Sequence, residues 1–170
     1  MTECPFCQLI QKKVNALFED DKVFVMLSPE PAVAGHVLVL PKAHSPFLEG
    51  IPDFVVGHMF TTANKVGVAV FEGLGAQGTN ILLQNGNSAG QKYNHAMLHV
   101  IPRFEKDSVQ LNWATKSASE EELASMESKI KDETGNIGLF EKEKPMPIEI
   151  EKPKELPKED VKTKFFRRIP

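Results

Sequence analysis

The stretch Gly78–Arg103, GTNILLQNGNSAGQKYNHAMLHVIPR, decides the fold of this chain. Apolar runs stand at both of its ends, Ile81–Leu83 in the first half and Leu98–Ile101 in the second. Between them lies a polar loop that contains Asn85-Gly86 and several other small residues. Such a loop between apolar runs predicts two antiparallel strands joined by a turn or hairpin loop.

The second strand of this unit carries the reactive side chains. His95, Met97 and His99 are spaced by two, so on a strand they point to the same face. Two imidazoles about 7 Å apart, beside a loop rich in backbone N–H groups, suit an anionic ligand such as a phosphate. The alternative is two hydrogen-bonded histidines on an ordinary strand, which is the commoner meaning of an isolated H-x-x-x-H.

The sequence around these histidines resembles the signature of the histidine triad (HIT) family, G-Q-x-x-x-H-x-H-x-H followed by apolar residues and Pro-Arg. The matching positions are Gly90, Gln91, His95, His99, Val100, Ile101, Pro102 and Arg103. Met97 stands where the family has its middle histidine, the nucleophile that attacks the α-phosphate of a nucleotide. A thioether has no proton to lose and is a weak acceptor, so it cannot take over that role. The resemblance therefore implies a nucleotide site and leaves catalytic turnover open.

Length and composition are those of a globular domain. The chain has 170 residues, 41% of them hydrophobic, which is enough for one domain with a hydrophobic core. Its net charge of −3 gives no general attraction to nucleic acid. It has neither a continuous run of 18 apolar residues nor a basic, apolar leader pattern at the N-terminus, so we expect no membrane span or signal peptide. Two cysteines in a C-x-x-C pattern fit a reducing compartment, and we expect a cytoplasmic protein.

The cysteine pair is also half of a possible metal site. Cys4 and Cys7 have the spacing of a zinc knuckle, and a pair of free or redox-active thiols is the alternative. A second resemblance to the HIT family follows, to the segment P-x-x-P-G-H-x-L-V-x-P-K-x-H. The matching positions are Pro31, Gly35, His36, Leu38, Val39, Pro41, Lys42 and His44, with Ala34 in place of the second proline. Zinc-bearing members imply the ligand set Cys4, Cys7, His44 and His95, whose two thiolates and two imidazoles suit tetrahedral zinc.

The same resemblance assigns the nucleotide contacts. Ser28 takes the place of an acidic or amide residue that binds the ribose, and a hydroxyl gives a weaker bond than a carboxylate. Phosphate contacts are implied for Gln84, Gly90, Gln91, Lys92 and His99. His36 is implied to orient the triad rather than to be an exposed residue at the start of a strand. His95 is implied to hold the metal or orient its neighbours.

The remaining pattern predicts an α+β fold: an antiparallel sheet, one long helix packed on it and a second short helix. Strands are expected around residues 17–19, 23–27 and 35–42, the last one buried on both faces. The long helix is expected at Ile51–Leu74, with His58 as a packing or partly exposed residue. Ser119 and Glu122 form a capping box that opens a helix to about Glu133. Trp113 is expected to be a packed aromatic.

The chain divides into a HIT-like nucleotide-binding domain, residues 1–135, and a tail, residues 136–170. The tail is rich in Pro, Lys and Glu, a composition that favours disorder. Its end, Lys164–Pro170, is basic and aromatic; a partner-docking peptide, an RNA contact, a self-contact and no function all remain open.

Three functions remain open for the domain. In the first, which the resemblance implies, it is a homodimer that binds a purine nucleotide or nucleotide conjugate. It would belong to the nucleoside phosphoramidate or dinucleotide hydrolase class, with Met97 abolishing or slowing turnover. Alternatively, it is an active hydrolase in nature and Met97 is a substituted position. In the third hypothesis it is a zinc-stapled interaction module that binds a partner through its tail.

Overall fold

The computed structural model describes residues 4–144 and confirms the α+β fold. The elements in chain order are α1 Pro5–Gln11, β1 Ala16–Glu19, β2 Val23–Leu27, β3 Val37–Pro41, α2 Asp53–Leu74, β4 Gly78–Leu83, β5 Leu98–Arg103 and α3 Glu120–Asp132. The five strands form one antiparallel sheet in the order β1-β2-β3-β5-β4.

Both faces of the central strands are buried, as the apolar run in β3 predicts. Every residue of β3 is buried, as expected for a strand that is covered on two sides. On one face, Val25, Val39 and Leu98 pack with Met59 of α2. The other face holds a second cluster with α1, formed by Phe6, Phe24, Met26, Leu38, Leu40 and Met97. The functional side chains project from this second face.

The long helix α2 covers the first face and begins two residues later than expected. Pro52 is its N-cap, and Ile51 before it is extended, so the helical conformation starts at Asp53. Gly75 ends the helix in the left-handed conformation, with its N–H bonded to Phe71 O. By length and composition alone α2 is apolar enough to cross a membrane. Here it is the helix packed on the sheet, with Met59, Ala63, Gly67 and Val70 buried.

The connection between β4 and β5 differs from the expected strand geometry. β5 begins at Leu98, so His95 and Met97 precede the strand instead of lying on it. The His95 N–H donates to Tyr93 O and the Ala96 N–H donates to Ser45 O. The N–H groups of His95 and Ala96 are therefore not used for pairing with a neighbouring strand. The three side chains nevertheless line one pocket.

The region after the sheet contains one confirmed and one wrong prediction. Ser119 and Glu122 form the reciprocal capping box that opens α3. Trp113, in contrast, is 83% exposed, because residues 110–119 form no helix or strand that would hold it against the core. Residues 136–144 are largely exposed. The rest of the predicted tail, including Lys164–Pro170, lies outside the described residues.

Candidate nucleotide and metal sites

An open pocket of about 280 Å³ lies on the sheet face opposite α2. It contains all but one of the predicted nucleotide contacts, and Gly90 is the exception. The lining residues on which the chemistry depends are Ser28, His36, Leu38, Gln84, Gln91, Lys92, His95, Met97, His99, Ile101, Val109 and Leu111. Most of this surface is apolar, which suits the flat face of a nucleobase.

A chain of hydrogen bonds fixes the tautomer of His99. The Ala32 N–H donates to His36 Nδ1 at 3.1 Å, so a neutral His36 carries its proton on Nε2. His36 Nε2 lies 3.1 Å from His99 Nδ1 and is therefore the donor of that bond. His99 Nδ1 accepts, which places the His99 proton on Nε2. These bonds assign to His99 a donor nitrogen for an oxyanion, the role that sequence predicts for it.

Burial keeps this histidine pair neutral. Burial is the main cause that lowers the pKa of His36, to about 4, and neighbouring His99 lowers it further. Burial also lowers the pKa of His99. The relay is thus formed by neutral imidazoles at pH 7, and His36 is buried as a residue that orients His99 rather than exposed.

Met97 occupies the position between the two histidines. Its side chain is 7% exposed and packs with Phe24, Met26 and Leu38 in the second core cluster. It also lines the pocket. The thioether therefore stabilises the core while presenting to the pocket a group that cannot act as a general base or form a phosphoryl bond at neutral pH.

The loop before His95 is held mainly by Gln91. The Gln91 amide donates to Pro46 O at 2.6 Å and Tyr93 O at 2.8 Å, and its oxygen accepts from the Gly86 N–H at 2.7 Å. The backbone N–H groups of Gly90 and Gln91 also bond within the loop. These donors, which we expected to contact phosphate, instead stabilise the loop in this arrangement.

Gly90 is needed for the shape of the same loop. Its φ is +86°, a conformation that favours glycine. A Cβ there would lie 2.7 Å from Gln84 Nε2, so glycine also makes room for the amide that lines the pocket. Gly90 therefore acts by positioning Gln84 rather than by lining the pocket itself.

The mouth of the pocket is bridged by Glu30. Its carboxylate accepts from Tyr93 Oη at 2.9 Å and from Lys92 Nζ at 3.5 Å. These bonds lower the pKa of Glu30. Ser28 Oγ accepts from the Glu30 N–H at 3.2 Å, which leaves its hydroxyl proton for a ligand.

The four predicted metal ligands come together beside this pocket. Ligand atoms of Cys4, Cys7, His44 and His95 all lie within 4.8 Å of one another. The recorded distances from Cys7 Sγ to His44 Nδ1 and to His95 Nδ1 are 3.4 and 3.7 Å. Cys4 Sγ lies 3.6 Å and His44 Nδ1 3.4 Å from His95 Nδ1. A tetrahedron with zinc bonds of about 2.0–2.3 Å has edges of about 3.3–3.8 Å, so the spacing fits zinc.

His95 is oriented for metal binding by the backbone. It is fully buried, and its Nε2 lies 3.0 Å from Pro41 O, so this nitrogen carries the proton. The lone pair of Nδ1 then faces the two thiols and His44, as in many sites where a carbonyl orients a metal-binding histidine. Because both nitrogens are engaged, the arrangement favours the metal role of His95 over direct contact with a nucleotide.

Comparison with known proteins agrees with this geometry. The sequence pattern of the HIT domain matches residues 10–106, more than half of the chain. The chain belongs to the HIT domain family. Adenylylsulfatase HINT3 of Arabidopsis thaliana is 36% identical over 117 residues, which cover 68% of this chain and 58% of the plant protein.

Two further HIT proteins are similar over most of their own length. Adenosine 5′-monophosphoramidase HNT1 of Candida albicans is 27% identical over 144 residues, 79% of this chain and 93% of the yeast protein. The solved structure of a zinc-bound histidine triad family protein from Mycobacterium smegmatis matches with a TM-score of 0.59 and 30% identity. That match covers 77% of this chain and 97% of the mycobacterial one.

For the region that follows β5, the resemblance to the HIT family implied a position near the nucleotide or a partner subunit, but sequence reasoning assigned no residue of its turn to the site. Arg103 makes a bidentate pair with Asp107 at 2.7 and 2.8 Å and also donates to Val109 O at 2.6 Å. Asp107 accepts from the N–H groups of Phe104 and Val109. The turn brings Val109 and Leu111 into the pocket wall. Opposite charges four residues apart, directly after the HIT signature, were the available signal.

Proposed function

We propose that this HIT domain binds a purine nucleotide or a nucleotide conjugate and that Met97 abolishes or slows its hydrolysis. The observation that supports this most strongly is the His36–His99 relay, which directs a neutral N–H donor to the pocket beside a buried thioether. A nucleotide phosphate would accept from His99 Nε2, and the base would lie against apolar residues such as Leu38 and Ile101. The names of the two curated relatives support an adenylyl group as the part recognised.

The reaction of the proposed class is attack on an α-phosphate with release of an amine, an acyl group or a second nucleotide. In this chain His99 would stabilise charge on the phosphate oxygens. The group at position 97 would have to form the bond to phosphorus, and a methionine forms no stable nucleotidyl intermediate. Loss of a nucleophile commonly reduces kcat by about 10⁴-fold or more.

The test compares adenosine phosphoramidate hydrolysis by the natural chain and by Met97→His, with Met97→Leu as the control of similar volume. We expect turnover by the histidine variant alone, and AMP binding by all three proteins within a few-fold. Hydrolysis by the natural chain at the rate of the histidine variant would overturn the proposed role of Met97. A residue other than position 97 would then be the nucleophile and would have to be sought.

The third hypothesis, an interaction module, has a separate readout. If neither AMP nor the phosphoramidate binds to the folded natural chain, the nucleotide proposal is wrong. The measurement is calorimetric titration of the zinc-loaded protein, with His99→Ala as the control that removes the phosphate donor. We expect saturable binding by the natural chain and at least about tenfold weaker binding by the alanine variant, because a hydrogen bond to a charged group contributes about 1.5–3 kcal/mol.

Zinc belongs to the proposal as a structural cofactor. Cys4, Cys7, His44 and His95 would hold it, and binding would require deprotonated thiols. Burial and the neighbouring Cys4 thiol raise the pKa of Cys7, so binding would release protons in exchange for the metal. Zinc would fix α1 to the end of β3 and to the segment before β5, which positions the pocket.

We also propose that the domain is a homodimer. β4 pairs only with β5 among residues 4–144 and forms one edge of the sheet. Exposed apolar side chains lie on β4 and on the outer side of α2, namely Ile81, Phe60, Val68 and Phe71. Light scattering should give twice the chain mass, and Phe60→Asp with Phe71→Asp should give the monomer. The cytoplasmic location stays a prediction.

A further inference from the structure

An apolar groove of about 610 Å³ separates β1 from the second half of α2, away from the nucleotide pocket. Thr62 and Lys65 are the only polar side chains among its lining residues, which are Leu17, Phe18, Val25, Leu27, Gly35, Val37, Thr62, Lys65, Val66, Ala69, Val70, Gly73 and Leu74. Leu17, Phe18 and Leu74 are half exposed. An open apolar surface of this kind favours an apolar occupant.

The strand beside the groove is the second free edge of the sheet. β1 pairs with β2 alone among residues 4–144, so its outer backbone groups have no partner strand there. A bulge between Ala16 and Phe18 shifts the register, and both Leu17 and Phe18 line the groove. An extended segment added to this edge would bond β1 through its backbone and place alternate side chains in the groove.

The last described residues of the chain contact the two elements that border the groove. The Glu141 N–H donates to Asp53 Oδ2 at 2.8 Å, at the start of α2. Glu143 then pairs with Lys22, in the turn between β1 and β2, at 2.9 Å. The last described residues therefore lie close to the end of β1 and the start of α2, near the contact of Asp20 with His58. A segment that continues from there along β1 runs antiparallel to it.

The sequence that follows has the pattern of an edge strand. In Pro145–Glu151, PMPIEIE, the apolar residues Met146, Ile148 and Ile150 are spaced by two. They would share one face of a strand. Pro145 and Pro147 occupy the alternate positions, at which a backbone N–H would point away from the partner strand. Proline is tolerated on edge strands in that orientation.

We propose that residues 145–151 of this chain pair with the free edge of β1 and fill the groove with Met146, Ile148 and Ile150. The segment is long enough to pair with all of β1, because four extended residues span about 13 Å, which is the length of β1 itself. The segment lies outside residues 10–106, which match the HIT domain, so it would be an addition to that domain in this protein.

Two other occupants fit less well. The basic end Lys164–Pro170 carries the same charge as Lys65, the one charged residue of the groove. A second copy docked through Phe60, Val68 and Phe71 would use the other side of α2. In helical angle these residues lie away from Thr62, Val66 and Ala69, which line the groove. A segment of the same chain therefore fits the groove best, because its binding loses less translational and rotational entropy than the binding of a second molecule.

The test uses the full chain with zinc bound. Nuclear Overhauser effects between the methyl groups of Ile148 or Ile150 and those of Leu17 or Leu74 should appear at low and high protein concentration alike. Hydrogen exchange of the β1 amides should become at least about fivefold faster in Ile148→Asp with Ile150→Asp. The matched control, Phe165→Asp with Phe166→Asp, should exchange as the natural chain does.

Three results would overturn the proposal. Equal β1 exchange in the natural chain and the Ile148/Ile150 variant, without methyl contacts, would leave the groove unfilled by this segment. Protection that grows with protein concentration would identify a second copy as the occupant. An effect of the Phe165/Phe166 variant equal to that of the Ile148/Ile150 variant would assign the groove to the basic end of the chain. None of these results depends on whether a nucleotide binds.

Discussion

At the scale of single residues, the proposed nucleotide binding depends on which nitrogen of His99 carries a proton. His36 and His99 are 63 residues apart in sequence. The antiparallel pairing of β3 with β5 brings His36 Nε2 to 3.1 Å from His99 Nδ1. The Ala32 N–H then determines the orientation of the relay. A hydrogen bond from backbone to His36 is therefore part of the proposed phosphate site.

Two variants of His36 separate its two bonds. His36→Gln places an amide nitrogen near the position of Nε2 and should keep the bond to His99. His36→Asn keeps an acceptor for Ala32 and should lose the bond to His99. We expect AMP binding to weaken about tenfold or more in the asparagine variant and only a few-fold in the glutamine variant.

The tautomer of His99 is the readout that a general loss of stability would not change. Nitrogen NMR should show the proton on Nε2 in the natural chain and in His36→Gln, and a mixture of tautomers in His36→Asn. If the His99 tautomer is the same in all three proteins, the relay does not orient it.

His36 also makes stability depend on pH. Its pKa is about 4 in the folded chain, below the value of about 6.5 in the unfolded chain. The unfolded state therefore binds the proton first as pH falls, and the free energy of unfolding should decrease from about pH 6.5 to pH 4. Urea titrations of the natural chain and His36→Gln should show a smaller decrease in the variant. Parallel curves would contradict the assignment.

At the scale of elements, the turn after β5 builds one wall of the pocket. Arg103 and Asp107 hold it, and their bonds strongly depress the pKa of Asp107. The carboxylate is thus the favoured form of Asp107 in the folded chain. The contribution of this ion pair to stability is present above the unfolded pKa, about 4, and is lost as pH falls toward the depressed folded value.

Asp107→Asn should therefore weaken AMP binding, because Val109 and Leu111 are no longer held against the pocket. It should also lower the urea midpoint at pH 7, and this difference should shrink below about pH 4. Calorimetry and urea unfolding at both pH values check the two effects. The matched control is Glu105→Gln, in the same turn. Equal effects of both variants would show that the Arg103–Asp107 pair is not responsible.

At the scale of the whole molecule, the metal cluster joins three distant parts of the chain. Cys4 is the N-cap of α1, Cys7 lies in its first turn, His44 follows β3 and His95 precedes β5. Loss of zinc would remove a direct link between these parts and leave α1 packed on the sheet through the second core cluster. A ligand that binds the folded state alone stabilises it by a free energy that grows with the logarithm of the ligand concentration divided by Kd.

We expect one zinc ion per chain by elemental analysis, and a chelator should lower Tm by about 10 °C. Cys7→Ser should have a similarly low Tm and should not respond further to the chelator. His58→Gln, a histidine outside the cluster, is the control and should keep its zinc. A chain that contains no zinc, or whose Tm does not change with the chelator, would refute the metal assignment.

The sequence by itself determined most of the strands and helices, because local periodicity and short motifs specify them. The buried run of β3, the capping box of α3 and the HIT signature all led to elements or clusters that the structure confirms. The sequence also predicted that four residues from separate segments would meet, since the resemblance to a zinc-bearing family carried that information.

Only the tertiary structure decided the roles inside the site. The direction of the His36–His99 relay, the loop bonds of Gln91 and the Arg103–Asp107 turn depend on backbone groups distant in sequence. The exposure of Trp113 and the open groove beside β1 also depend on which surfaces other elements cover. Periodicity specifies which face of an element is apolar, but the three-dimensional packing determines what covers that face.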